Sequence, residues 1–138
     1  MSDVARDVET FLSGKVFAVV GASRDRAKFG NRVLRAYLAH GRRALPVNPR
    51  EPEVEGLVCA SDLAALGEPV DGVSIITPPE VTARVVDQAL ALGLRRLWLQ
   101  PGAEHAGAIE KARAAGALVL AYGPCVLVEL PRMRPGAS

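Results

Sequence analysis

The stretch Val16-Phe17-Ala18-Val19-Val20-Gly21-Ala22-Ser23-Arg24-Asp25-Arg26-Ala27-Lys28-Phe29-Gly30 reads as a strand, a turn and the start of a helix. Val16–Val20 is continuously apolar, as a strand covered on both faces should be. Beyond the turn, Phe29, Val33, Ala36, Tyr37 and Leu38 fall at helical offsets within Phe29–His40, and Gly41 follows as a stop signal. The same alternation runs outward along the chain. Ala44–Val47, Val73–Ile76, Leu97–Leu99 and Leu118–Ala121 read as further strands. Val81–Leu92 and Glu104–Ala115 read as helices stopped by Gly93 and Gly116, and Val4–Leu12 as a first helix stopped by Gly14. Strands separated by helices need crossover connections, so the sheet should be parallel. Right-handed crossovers put helices on both of its faces. The expected fold class is α/β: a doubly wound, mostly parallel sheet of five or six strands in three layers, α/β/α. Neither linker nor repeat divides it, so one domain over residues 1–138 is expected.

With 138 residues, 49% of them apolar and 23% charged, the chain can bury a core without metal or disulfide staples. Its 17 basic and 15 acidic residues leave a net charge of +2, too small a field for nucleic-acid binding. No apolar run approaches the roughly 20 residues that span a bilayer. The polar, acidic Met1–Glu9 does not read as a secretory signal. A cytoplasmic location is expected. Cys59 and Cys125 are isolated, no CxxC pair exists, and His40 and His105 lack ligand-spaced partners, so no metal site is expected. The chain has 14 Arg against 3 Lys, 22 Ala, two Asn and two Gln. That bias fits a thermophile's avoidance of heat-labile residues and fits a GC-rich genome equally well.

In a doubly wound sheet the ligand binds beyond the carboxyl ends of the strands, where strand order reverses. Gly21–Lys28 follows the first strand there. Small residues let its backbone approach an anion, and the helix N-terminus behind it offers unpaired N–H groups. GxGxxG and Walker spacings are both absent; Arg24, Arg26 and Lys28 supply charge instead, and Ser23 a hydroxyl. The second strand ends in Pro46-Val47-Asn48-Pro49-Arg50, without the acid that usually accepts from an adenosine ribose. Arg50 there suits a ribose carrying phosphate, as in NADP or coenzyme A. Ile76-Thr77-Pro78-Pro79-Glu80 has capping-box spacing between Thr77 and Glu80, and its prolines offer a flat apolar wall.

Other features read as structural. Trp98 belongs to a buried run, Cys125 is a small buried thiol, and His105 caps a helix. Arg50–Leu66 reads as a loop with a short edge strand near Gly56–Cys59, followed by a short helix capped by Ser61. Val126–Leu130 reads as an edge strand or a docking surface.

Val20-Gly21-Ala22-Ser23, Val47-Asn48-Pro49, Thr77-Pro78-Pro79 and Gly123-Pro124-Cys125, in this order, resemble the stand-alone CoA-binding proteins, which are similar to the CoA-binding domain of the succinyl-CoA synthetase alpha subunit. The resemblance runs from about Phe11 to Arg132 and implies a Rossmann-like domain that binds coenzyme A or an acyl-CoA. It implies that Gly21, Ala22, Ser23 and Arg24 hold the pyrophosphate, that Val47, Asn48 and Pro49 flank the adenosine, and that Thr77, Pro78 and Pro79 pack on the body of the ligand. Arg50 falls near the family's basic residue for the 3′-phosphate, and Lys28 is a further phosphate candidate by charge and position. No phosphohistidine domain is read in these residues, so binding without synthetase chemistry is expected, with no catalytic residue. Two alternatives remain: an NADP-binding oxidoreductase module, and a non-catalytic subunit that docks on a protein partner or on a second copy.

Overall fold

The computed structural model describes residues 2–133; Met1 and residues 134–138 of the expected domain lie outside the described residues. Strand β1 (Val16–Val20) is the centre of the architecture. It pairs in parallel with β2 (Arg43–Val47) on one side. Two short strands, β3 (Glu53–Val54) and β4 (Leu57–Val58), then form a separate antiparallel hairpin. The chain returns to the other side of β1 with β5 (Gly72–Ile75), followed outward by β6 (Arg96–Leu99) and β7 (Leu118–Leu120). The main sheet is five-stranded, in the order β2-β1-β5-β6-β7, and every pairing in it is parallel. Strand order therefore reverses between β1 and β5, which places the switch point there.

Alternation along β1 separates the two faces. Phe17 and Val19 face α1 (Asp3–Leu12) and α2 (Phe29–Ala39), in a cluster with Phe11, Tyr37 and Trp98. Ala18 and Val20 face the other way, joined by Val73, Ile75, Leu97 and Leu99, under α3 (Pro79–Ala91) and α4 (Ala106–Ala114). The expected three layers follow from this two-sided burial. Phe17 stacks on Tyr37 at 4.6 Å between ring centroids, and Phe11 meets Trp98 edge-on at 5.2 Å. The buried Tyr37 hydroxyl and Ser74 Oγ share a hydrogen bond of 2.6 Å. Burial pushes the Tyr37 pKa far up, so the phenol stays neutral at this joint.

At the amino edge of the sheet, Asp71 Oδ2 accepts from the N–H groups of Lys15 (2.7 Å) and Val16 (2.9 Å). These two bonds hold its carboxyl below the usual range. A depressed folded-state pKa contributes stability that is complete above about pH 4, near the unfolded value. That stability is lost as pH falls through the depressed value. Asp71→Asn is therefore expected to narrow the gap between the melting temperatures at pH 7 and pH 3. An unchanged gap would show that Asp71 carries none of the acid sensitivity.

Four local expectations are corrected. Thr77 and Glu80 form no capping box: Pro78 is the N-cap of α3, and Thr77 Oγ1 instead bonds Thr82 Oγ1 at 2.7 Å. Asp62 rather than Ser61 caps the short turn Leu63–Ala65, accepting from the Ala65 N–H. The single edge strand near Gly56–Cys59 is a hairpin. Val126–Leu130 is not an edge strand but helix α5 (Val126–Glu129) leading into the 3₁₀ turn Leu130–Arg132, with Val128 exposed. Val126 and Leu130, four residues apart, fall on one helical face and are fully buried against the α2 layer. Trp98 is fully buried, as expected, and His105 caps α4 by accepting from the Ala108 N–H at 3.0 Å.

Candidate functional site

The candidate residues gather at the carboxyl edges of β2, β1 and β5, three adjacent strands. The clearest joint is Gly21. Its φ is +95°, and a Cβ built there would lie 1.8 Å from the carbonyl oxygen of Ile76. Only glycine lets the turn after β1 press against the end of β5. On the other side the Gly21 N–H donates to Val47 O (3.0 Å), and Asn48 Nδ2 donates to Ala22 O (2.7 Å). Behind the turn, a Cβ on Gly30 would lie 2.0 Å from Gly21 O, so the first turn of α2 also packs directly on this backbone. Gly21, Ala22, Val47, Asn48 and the residue before Thr77 thus form one connected floor.

Around that floor the groups differ in availability. Ala22 and Val47 are buried, Ser23, Asn48 and Thr77 half-buried, and Pro49, Pro78 and Pro79 exposed. Ser23 Oγ accepts from the Asp25 N–H (3.1 Å), and Asp25 Oδ1 from the Ala27 N–H (3.0 Å), so the turn is shaped by its own short side chains. Asn48 Oδ1 accepts from the Arg50 N–H at 2.8 Å, which directs the chain past Pro49. Arg24, Lys28 and Arg50 are exposed on this rim, and Lys28 is the N-cap of α2. Among the described residues neither Lys28 nor Arg50 has a carboxylate within ion-pair distance.

Sequence reasoning missed three residues here. Glu51, four positions past the end of β2, doubles back so that its Oε2 accepts from the Arg24 N–H at 3.2 Å. An acid does stand beside the first loop, although it was not expected after the second strand. Glu55, at the tip of the β3–β4 hairpin, lies 3.4 Å from Arg26 Nε. Buried Asn31 ties these parts together. Its Nδ2 donates to Ser23 O (2.8 Å) and Glu55 (3.1 Å), and its Oδ1 accepts from Arg35 Nε (2.7 Å). The available signals were the alternating acids of Glu51-Pro52-Glu53-Val54-Glu55 and a polar Asn on the apolar stripe of α2. A cavity of about 410 Å³, lined by Arg24, Pro52, Glu53 and Glu55, opens between loop and hairpin.

The second half of the edge is built from the ends of β6 and β7. Trp98 Nε1 donates to Pro124 O (2.9 Å), and Gln100 Oε1 accepts from the Val126 N–H (3.0 Å). These bonds fix the Gly123-Pro124-Cys125 turn on the sheet. Gln100 is fully buried, and its Nε2 has no hydrogen-bond partner among the described residues. A buried amide N–H of this kind calls for an acceptor from water or ligand. Cys125 is half-buried rather than fully enclosed. Cys59, near the hairpin, is pushed up in pKa chiefly by burial, which keeps it a thiol. Among the described residues there is no cluster of metal-ligating side chains, and no helix is long and apolar enough to cross a membrane.

The small-residue turn, the cationic rim and the exposed prolines lie at the switch point, the place where open α/β sheets receive their ligands. The CoA binding domain family model matches residues 15–131, and the chain belongs to that family. Part of the chain is 28% identical, over 81 residues, to acetate–CoA ligase [ADP-forming] I of Archaeoglobus fulgidus; the match covers 59% of this chain and 12% of the ligase. Two solved structures resemble it over nearly their full lengths. A conserved hypothetical protein of Pyrococcus furiosus is 38% identical, with a TM-score of 0.79 and coverage of 83% of this chain and 98% of that one. A Thermus thermophilus protein is 33% identical, with a TM-score of 0.85 and coverage of 96% and 98%. The dinucleotide-forming acetyl-coenzyme A synthetase 1 of Ca. Korarchaeum cryptofilum is 28% identical, with a TM-score of 0.67 over 77% of this chain and 25% of its own. The fold is Rossmann-like, and the chain is similar to a part of each of these larger proteins.

Proposed function

We propose that this chain binds coenzyme A, free or acylated, in the crevice at the carboxyl edges of β2, β1 and β5. The observation that carries the reading is the contact of Gly21 with both neighbouring strands, which gathers the three motif segments into one floor in a chain of the CoA-binding family. Gly21, Ala22, Ser23 and Arg24 receive the pyrophosphate. Val47, Asn48 and Pro49 lie along the adenosine. Arg50 and Lys28, cations without a carboxylate partner among the described residues, meet phosphate charge, and Thr77, Pro78 and Pro79 line the arm. Residues 1–138 act as one binding unit in the cytoplasm, and the proposal includes no bond-making step.

Ligand at 100 times its dissociation constant stabilises the folded state by about 2.7 kcal/mol. A rise of several degrees in melting temperature with CoA, and a smaller one with NADP, is expected. Replacing both Arg24 and Arg50 by Ala should weaken CoA binding by about tenfold, given the worth of charge-assisted hydrogen bonds. A shift with NADP and none with CoA would transfer the crevice to a dinucleotide. Unaltered CoA affinity in the double variant would remove these cations from the site.

A further inference from the structure

The cationic turn after β1 is already occupied by anions of the protein itself. Glu51 Oε2 accepts from the Arg24 N–H at 3.2 Å and lies 3.9 Å from Arg24 Nε. Glu55 lies 3.4 Å from Arg26 Nε and accepts from Asn31 Nδ2 at 3.1 Å. A carboxylate that takes a loop N–H and the guanidinium next to it uses the donors that a phosphate would use there. Both acids come from the segment Glu51–Glu55, which returns across the turn and borders the same cavity as Arg24. Glu55 reaches this position from a left-handed backbone, φ +50°, followed by Gly56 at φ +77°. The tight hairpin turn therefore carries the longer glutamate side chain where Asn, Asp or Gly is the usual occupant.

We infer that Glu51 and Glu55 are internal phosphate mimics: carboxylates that occupy Arg24 and Arg26 in the free protein and that an incoming diphosphate must displace, so that they set how tightly phosphate-bearing ligands are held here without acting on ligands that lack phosphate. The inference rests on the phosphate-binding reading of this turn. Its physical basis is a difference of affinities. A ligand without phosphate gains nothing at the two arginines that the glutamates do not already supply. A diphosphate offers more charge and more acceptor oxygens to the same donors, but it alone bears the cost of displacing the carboxylates and of their repulsion. Removing those charges should then tighten binding, the reverse of what a ligand-contacting glutamate would show.

The experiment uses the full chain and its variants Glu51→Gln, Glu55→Gln and the double variant, with inorganic pyrophosphate, CoA and adenosine titrated by calorimetry. Glutamine keeps an acceptor oxygen for the Arg24 and Asn31 N–H groups, and thermal unfolding verifies that each variant folds. Asp87→Asn controls for net charge, because Asp87 pairs with Lys111 between α3 and α4 at 2.7 Å. Each Glu→Gln change should tighten pyrophosphate and CoA by about fivefold, the upper end for an exposed ion pair. Adenosine, and the Asp87→Asn variant with every ligand, should show no gain. Equal or weaker pyrophosphate binding in the Glu→Gln variants overturns the inference, as does pyrophosphate binding to none of the proteins. If CoA binds but gains nothing from the variants, the inference falls while the CoA reading stands. If pyrophosphate tightens as expected and CoA never binds, the gating acids remain and the CoA reading falls.

Discussion

Gly21→Ala is expected to lower folding stability by about 3 kcal/mol and to abolish CoA binding. Two costs combine. The residue has φ +95°, where a side chain adds on the order of 1–2 kcal/mol of strain. The added Cβ would also sit 1.8 Å from Ile76 O, a contact between two backbones that only a separation of β1 and β5 relieves. Overpacking of this kind costs about 1–3 kcal/mol. That separation opens the floor on which the three motif segments meet, so the ligand loss follows from the same event. Gly102→Ala is the control: φ is +96° but nothing lies within 4 Å of a Cβ, so strain alone applies. Urea unfolding of both variants should show Gly21→Ala to be the more damaging. Equal losses would show that the close approach to Ile76 contributes nothing.

Trp98→Ala is the second large effect, with an expected loss of about 3–5 kcal/mol, the usual cost of emptying a buried aromatic site. Trp98 is fully buried and meets Phe11 edge-on, so the cavity opens in the layer beneath α1 and α2. The indole also donates to Pro124 O, which would lose its tie to the sheet. Trp98→Phe should retain most of the packing while losing that bond. It is therefore expected to unfold between the wild type and Trp98→Ala, with faster amide exchange at Cys125 and Val126. Unchanged exchange there would mean that Gln100, through its bond to the Val126 N–H, holds the turn without help.

The parts of this fold legible in the sequence are those decided by local chemistry. A strand covered on both faces is mostly apolar: β1 is so throughout, and β6 is so after Arg96, while β5 carries one buried hydroxyl at Ser74; a helix ending at a glycine announces its end, and α2, α3 and α4 do. Parallel pairing follows from the alternation itself. The turn after β1 was found by position rather than by motif, because the switch-point rule needs only element order. What stayed hidden depends on contacts distant in sequence. Thr77 and Glu80 have the spacing of a capping box, yet Thr77 is drawn to Thr82. Val126–Leu130 is β-branched and apolar enough for a strand, but a sheet edge and a helical groove make the same demand on composition. Here the α2 layer offers the groove. Glu51 escaped because its spacing from Val47 differs from the usual ribose acid, and only the doubled-back segment carries it to Arg24.

The central claim is that coenzyme A lies with its phosphates on the Gly21–Lys28 turn, at the reversal of strand order between β1 and β5. Diffraction from crystals grown with CoA tests it most directly. The account predicts phosphate oxygens within hydrogen-bond distance of the backbone N–H groups of Ala22 to Arg24, with Glu51 moved away from the Arg24 N–H. CoA held at another surface, with that turn still closed by Glu51, would contradict it.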